Sequence, residues 1–369
     1  MSSQIVRWTA ALAAAFVLLS APTSASAQNG GPLGAGDNQA AKQAEANFGH
    51  YQFRDGESLD DLHIHYATMG EPHRNAAGDI DNAVLVLHWT GADGRAVLTP
   101  LYQHALYDAG RPLDAHKYFL IFPDSVGHGR SSKPSDGLRG KFPHYGYGDI
   151  VDLQHRLVTE TLGIKRLAIV GMSMGGMNAW QWAEAYPDAV EGIMPVVSLP
   201  VKVSGRNLIW RRMAIGFIEN GPDWKGGNAT TPPRGWTAAY ELLRLMIDGV
   251  PHMQMIAPDG AGADRFIAAV AAEASHVEPI DALYSLKSSA DYDPEPDLNK
   301  ITTKVLALNF GDDEFNPDVL QILETRMSRV KQGRTIVQPG APTAFGHLTM
   351  AQPELWAGHV AEFMDEVRD

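Results

Sequence analysis

The sequence predicts an α/β protein with a mostly parallel central sheet, helices on both faces and an inserted helical cap. Three observations carry this prediction. Short apolar, β-branched runs alternate with segments of helical period, the alternation lapses between residues 199 and 299, and a Gly-x-Ser-x-Gly sequence stands where a strand meets a helix.

In chain order, "LHIHYATMG" alternates like a half-buried strand, and the unbroken run "AVLVLH" from Ala83 to His88 reads as a strand covered on both faces. "YFLIF", "RLAIVG", "GIMPVVS" and "KVLALNF" read the same way. Between and after them, "GDIVDLQHRLVTETLG", "GGMNAWQWAEAYP" and "PELWAGHVAEFMDEV" carry helical patterns. The stretch 199–299 holds Trp210, Trp224 and Trp236 and several helical segments but no strand run, which marks it as the cap. The core is therefore split into 49–198 and 300–369.

The first residues have the order of an export signal: Arg7, an apolar run from Trp8 to Leu19, and Ala25-Ser26-Ala27 as a small-residue cleavage site before Gln28. Residues 1–27 are thus expected to be a signal peptide and the protein to be secreted or periplasmic, with no membrane span left after cleavage. Residues 28–48 are rich in Gly, Ala and Gln and poor in large apolar side chains, and are expected to form a flexible leader. The absence of cysteine excludes disulfides, thiolate metal sites and a Cys nucleophile. A formal charge of -13 disfavours nucleic acid and anionic membranes as partners and leaves a small-molecule substrate as the expectation. A homo-oligomer remains open. Although the chain has 14 His, only His63 and His65 make a strand-spaced pair, without a third ligand at diagnostic spacing, so no metal and no cofactor are expected.

The chemistry centres on "AIVGMSMGGMNAWQWA". A sharp strand-to-helix turn lifts the Ser173 hydroxyl above the sheet, and Gly171, Gly175 and Gly176 leave the neighbouring backbone room to pass. A serine hydroxyl needs a base, and the base an acid to orient it, in the chain order Ser, acid, His. After "KVLALNF" comes "GDDEFNP", where Asp313 is the chosen acid and Asp312 the alternative; "PTAFGHLTM" then offers His347 as the base. An oxyanion hole needs two backbone donors: Met174 supplies one, and Trp89 or Thr90 of "LHWTGADG" the other.

With these residues in place the chain resembles the homoserine O-acetyltransferase-like branch of the α/β-hydrolase superfamily. The resemblance is carried by "LHIHYATMG", "DNAVLVLHWTG", "GMSMGGMNAWQWAEAYPD", "PDWKGG" and "FGH". It implies the α/β-hydrolase fold, a catalytic triad of Ser173, Asp313 and His347, and acyl transfer through an acyl-enzyme. Pro317, four residues beyond Asp313, has the spacing usual in this superfamily. The chain departs from the transferases at two substrate contacts. Tyr240 in "GWTAAY" stands where they place the Arg that grips the homoserine carboxylate, and Leu348 stands where an Asp binds its amino group. "DSVGHGRSSKP" also looks like an ordinary hydrolase loop, with Asp124 stabilising its turn.

The expected function is a secreted serine hydrolase acting on an ester, or on an amide or lactone, of a small uncharged molecule. The alternative is an acyl-CoA-dependent O-acyltransferase, and a third reading is a catalytically idle binding protein that keeps the pocket.

Overall fold

The computed structural model describes residues 40–229, 231–340 and 344–368. The signal-peptide reading of residues 1–27 lies outside them. Eight strands form one sheet: β1 (Lys42–Gln52), β2 (Ser58–Met69), β3 (Ala83–Leu87), β4 (Phe119–Pro123), β5 (Leu167–Met172), β6 (Val190–Val196), β7 (Lys304–Phe310) and β8 (Gly333–Gln338). Their spatial order is β1-β2-β4-β3-β5-β6-β7-β8. The β1–β2 and β2–β4 pairs are antiparallel, and every pair from β4 to β8 is parallel.

Parallel neighbours need crossovers, and the helices supply them. The one-turn α1 (Pro100–Tyr102) lies between β3 and β4, α2 (Tyr147–Arg156) between β4 and β5, and α3 (Met174–Ala185) between β5 and β6. Between β6 and β7 come α4 (Gly205–Glu219), α5 (Arg234–Ile247), α6 (Val250–Ile256), α7 (Gly260–Ala274) and α8 (Pro279–Lys287), with no strand among the described residues. Then α9 (Ile322–Met327) precedes β8, and α10 (Ala357–Arg368) follows it.

Because successive strand residues point to opposite faces, one apolar strand feeds two cores. Leu85, Leu87, Ile169 and Ile193 pack with Ile150 of α2 and Trp180 of α3. Val84, Val86, Val170 and Met194 pack with Val360 and Phe363 of α10. This two-sided burial explains why β3, β4 and β5 are apolar throughout.

The sheet's ends correct the sequence reading. The leader expected over 28–48 gives way, from Lys42, to edge strand β1, which pairs with β2 from Lys42↔Thr68 to Gln52↔Ser58. Most of its side chains stay exposed or half-buried, so an apolar pattern is not required; backbone hydrogen bonds to β2 hold it. Strand β8 escapes the same reading because no residue of "GRTIVQ" is fully buried. No described helix is long and apolar enough to cross a membrane.

Candidate active site

The elbow is built by close backbone approach. Ser173 sits between β5 and α3 at φ 52° and ψ -110°, a strained conformation for a residue with a β-carbon. Its N–H donates to Val196 O at 2.9 Å, which ties the turn to β6. A β-carbon on Gly171 would fall 2.2 Å from Gly175 O, and one on Gly175 would fall 2.5 Å from Leu87 O. Glycine alone lets the helix start this close to two strands.

His347 and Asp313 meet the serine across the fold. His347 Nε2 lies 2.8 Å from Ser173 Oγ, and its Nδ1 lies 2.7 Å from Asp313 Oδ2. All three are buried, at 7%, 4% and 2% exposure for Ser173, His347 and Asp313. Since a carboxylate only accepts, Nδ1–H donates to Asp313 and Nε2 is left to accept the serine proton. Asp313 Oδ1 also accepts from the N–H groups of Phe315 (2.8 Å) and Asn316 (3.2 Å), and Oδ2 from Asn316 Nδ2 (2.9 Å). The same Nδ2 donates to Val197 O at 2.8 Å, so Asn316 locks the acid loop to the end of β6. The alternative acid, Asp312, faces elsewhere: its Oδ2 accepts from Gly346 N–H at 3.0 Å and braces the loop that carries His347.

Opposite the histidine stands the loop after β3. Trp89, Thr90 and Gly91 line the cavity that holds Ser173, and Met174 takes the first position of α3, where N–H groups have no intrahelical partner. The Gly91 N–H is already engaged, donating to Ser285 Oγ at 3.2 Å. This leaves the N–H groups of Trp89 and Thr90 as the loop's candidates.

Two buried imidazoles hold this loop. Burial lowers the pKa of both His88 and His128, the latter to about 3, which keeps them neutral. Carbonyl acceptors fix their tautomers: His88 Nδ1–H donates to Trp89 O (3.0 Å) and His128 Nδ1–H to Val126 O (3.0 Å). His88 Nε2 therefore accepts from Ser125 N–H (3.1 Å), and His128 Nε2 from the Ser285 hydroxyl (2.7 Å). Through Ser285 the cap helix α8 is fastened to the candidate oxyanion loop. Replacing Ser285 with Ala should lower kcat about tenfold, a fraction of the loss of a whole oxyanion donor, with little change in KM. Steady-state kinetics checks it; an unchanged kcat would remove this role.

The cavity wall is largely apolar. Tyr240 of α5 and Leu348 both lie on it, as does Trp210 of α4. Tyr240 is buried, which raises its phenol pKa, and its hydroxyl lacks a hydrogen-bond partner. Sequence reading missed two cations on the same wall, Arg211 of α4 and Arg244 of α5. In "WRRMAI" and "ELLRLM" they look like solvated helix residues; only packing of the cap turns them inward. The uncharged-substrate expectation rested on Tyr240 and Leu348 alone and left these cations out.

The remaining residues singled out in the sequence serve the fold around the site. Asp124 accepts from Gly94 N–H and Arg130 N–H, both at 2.8 Å, and pairs with His65 Nδ1 at 2.9 Å, so it organises its turn. His63 sits 3.2 Å from Arg130 O and 3.1 Å from Ser132 Oγ, tying the same loop to β2.

The family model described as alpha/beta hydrolase fold matches residues 84–241. A probable acyltransferase of Methanothermobacter thermautotrophicus is 29% identical over 275 residues, 74% of this chain and 83% of that protein. A homoserine O-acetyltransferase of Solidesulfovibrio magneticus is 34% identical over 189 residues, covering 47% of this chain and 46% of that one. For such transferases the match spans about half of the relative's length. Among solved structures, an acetylester hydrolase from Corynebacterium glutamicum superposes with a TM-score of 0.75 at 20% identity, over 88% of this chain and 96% of that one. A homoserine O-acetyltransferase from Bacillus anthracis gives 0.76 at 21%, over 89% and 98%. Fold, motifs and relatives agree: the chain has the alpha/beta hydrolase fold and is similar to homoserine O-acetyltransferases and to esterases of that fold.

Proposed function

We propose that the protein is a serine hydrolase that cleaves a carboxylic ester and passes the acyl group to water. Ser173 Oγ attacks the ester carbonyl carbon while His347 Nε2 takes the hydroxyl proton. The carbonyl oxygen becomes an oxyanion facing Met174 N–H and the loop of Trp89 and Thr90. As the C–O bond to the alcohol breaks, His347 returns the proton to the departing oxygen, and the acyl group stays on Ser173. Water then attacks the acyl-enzyme, giving one proton to His347, and Ser173 leaves with it as the carboxylic acid forms. Asp313, on Nδ1, stabilises the imidazolium in both halves.

The observation that carries water as acceptor is Leu348 beside His347 on the cavity wall. An amino-acid alcohol would bring an ammonium with no acidic partner among the described residues of that wall, and unpaired buried charge is costly. The purified protein, given one acetyl ester, is therefore expected to release acetate without forming O-acetylhomoserine when homoserine is added. The paired change Tyr240→Arg with Leu348→Asp should raise the ratio of transfer to hydrolysis by about tenfold or more. Efficient homoserine acetylation by the wild type would overturn the reading.

The second reading, O-acyl transfer, is supported by the name of the Methanothermobacter relative, a probable acyltransferase that matches over 83% of its length. Supplying acetyl-CoA as donor in the same assay separates the two. The proposal extends to location. Residues 1–27 have the sequence of an export signal, and N-terminal sequencing of native protein is expected to begin at Gln28; a cytoplasmic protein beginning at Met1 would remove this part.

A further inference from the structure

Among the described residues, Arg211 is the one arginine or lysine on the wall around Ser173 that has no acid of its own. It is 6% exposed and lines that cavity. Its Nε donates to Asn207 Oδ1 at 2.9 Å, one helical turn back, and its Nη1 reaches Leu286 O at 3.4 Å. The Trp210 ring centre lies 5.7 Å from the guanidinium carbon. Among the described residues no carboxylate oxygen comes within 4.0 Å of it. Every partner is thus neutral. A guanidinium removed from water with neutral partners only is held at a cost, which a bound anion would offset.

The surroundings select for such an anion. Among the described residues no Asp or Glu lines the cavity, although the chain as a whole carries -13. Arg244, the other arginine on the wall, has Glu273 Oε2 at 3.4 Å from its Nε, so its charge is offset from behind. Two buried hydroxyls, Thr90 Oγ1 and Tyr147 OH, make no hydrogen bond of normal geometry, and the Tyr147 hydroxyl lies close enough to Thr90 and Arg211 to interact weakly with both. Thr90 itself faces the cavity. A planar fork of N–H donors beside two weakly engaged hydroxyls matches a carboxylate better than any neutral group.

We propose that the substrate is an ester that also carries a free carboxylate, held by Arg211 with Thr90 while Ser173 attacks the ester carbonyl. This rests on the ester hydrolysis proposed above and names its substrate class. Arg211 stands on α4, whereas the position at which the resemblance places the transferases' carboxylate-binding Arg is Tyr240 on α5. The wall therefore offers a partner for a negative charge but, at Leu348, none for an ammonium. The class is a monoanion, neither the uncharged ester expected from the sequence nor a zwitterion.

The test compares kcat/KM within two matched pairs, because the carboxylate could sit on either side of the ester. Mono-4-nitrophenyl glutarate against 4-nitrophenyl pentanoate places it on the acyl side; 4-carboxyphenyl acetate against its methyl ester places it on the alcohol side. Wild type is expected to favour the anionic member of one pair by about tenfold, and Arg211→Met to reverse that preference. Should Arg211→Met fail to fold, the wild type decides through inhibition of pentanoate hydrolysis: glutarate is expected to compete at about tenfold lower concentration than glutaramide. Preference for the neutral member in both pairs, equal loss on both members in Arg211→Met, or equal inhibition by glutarate and glutaramide would overturn the proposal while leaving ester hydrolysis intact. A wild type that hydrolyses no member of either pair overturns ester hydrolysis, and this substrate class with it.

Discussion

Replacing Ser173 with Ala is expected to lower kcat by roughly 10⁵–10⁶-fold while leaving the protein folded. The hydroxyl is the atom that would bond to the acyl carbon, and no other described hydroxyl lies on His347 Nε2. Alanine keeps the β-carbon, so it meets the same backbone at φ 52° that serine already meets. The serine side chain does not cap α3, and its removal leaves that helix start unchanged. The thermal midpoint should stay within about 3 °C of wild type, as for a change worth about 1 kcal/mol in a domain of this size. Ester hydrolysis and thermal unfolding measured on one preparation check both halves. A variant keeping more than a few per cent of wild-type turnover would sink the assignment of the nucleophile.

Asp313→Asn is expected to cost about 10⁴-fold in kcat, against a severalfold loss at most for Asp312→Asn. The reason lies in the donors around Asp313. Oδ1 accepts two backbone N–H groups, and Oδ2 accepts from Asn316 Nδ2 and from His347 Nδ1. An asparagine has only one oxygen to offer. Placed toward the backbone, it leaves its NH₂ against two donors, and His347 must shed the Nδ1 proton to accept instead. The proton then sits on Nε2, facing Ser173, and the base is lost. Asp312 makes a simpler contact, one oxygen on Gly346 N–H at 3.0 Å, which an asparagine carbonyl can replace. Steady-state kinetics on both variants decides the matter, and the reverse ranking would move the role to Asp312.

Much of this arrangement was legible before any coordinates because it is local. The elbow's demand for Gly on both sides of Ser173 is a matter of a few residues, and the two-sided burial of β3 and β5 imposes an unbroken apolar run. What escaped depends on exposure or on distance in sequence. β1 and β8 are edge strands, held by backbone pairing to a single neighbour, so their side chains need no pattern. The sequence points to Asp313 over Asp312, but the contact that holds its loop, Asn316 reaching Val197 119 residues away, was not legible there. Ser285 meets His128 across 157 residues, and nothing near either position announces the contact. Arg211 reads as one of two adjacent solvated arginines until α4 packs over the cavity.

The most direct test of an acyl-enzyme on Ser173 resolved by water is to run an acetyl ester in oxygen-18 water, with homoserine and acetyl-CoA both present. Products are read by mass spectrometry, and the protein is quenched early for intact mass and peptide mapping. The account predicts an acetyl adduct on the peptide holding Ser173, one oxygen-18 atom in the released acetate, and acetyl-CoA left unconsumed. Consumption of acetyl-CoA with formation of O-acetylhomoserine, or an acetyl group mapped to any residue other than Ser173, would contradict it.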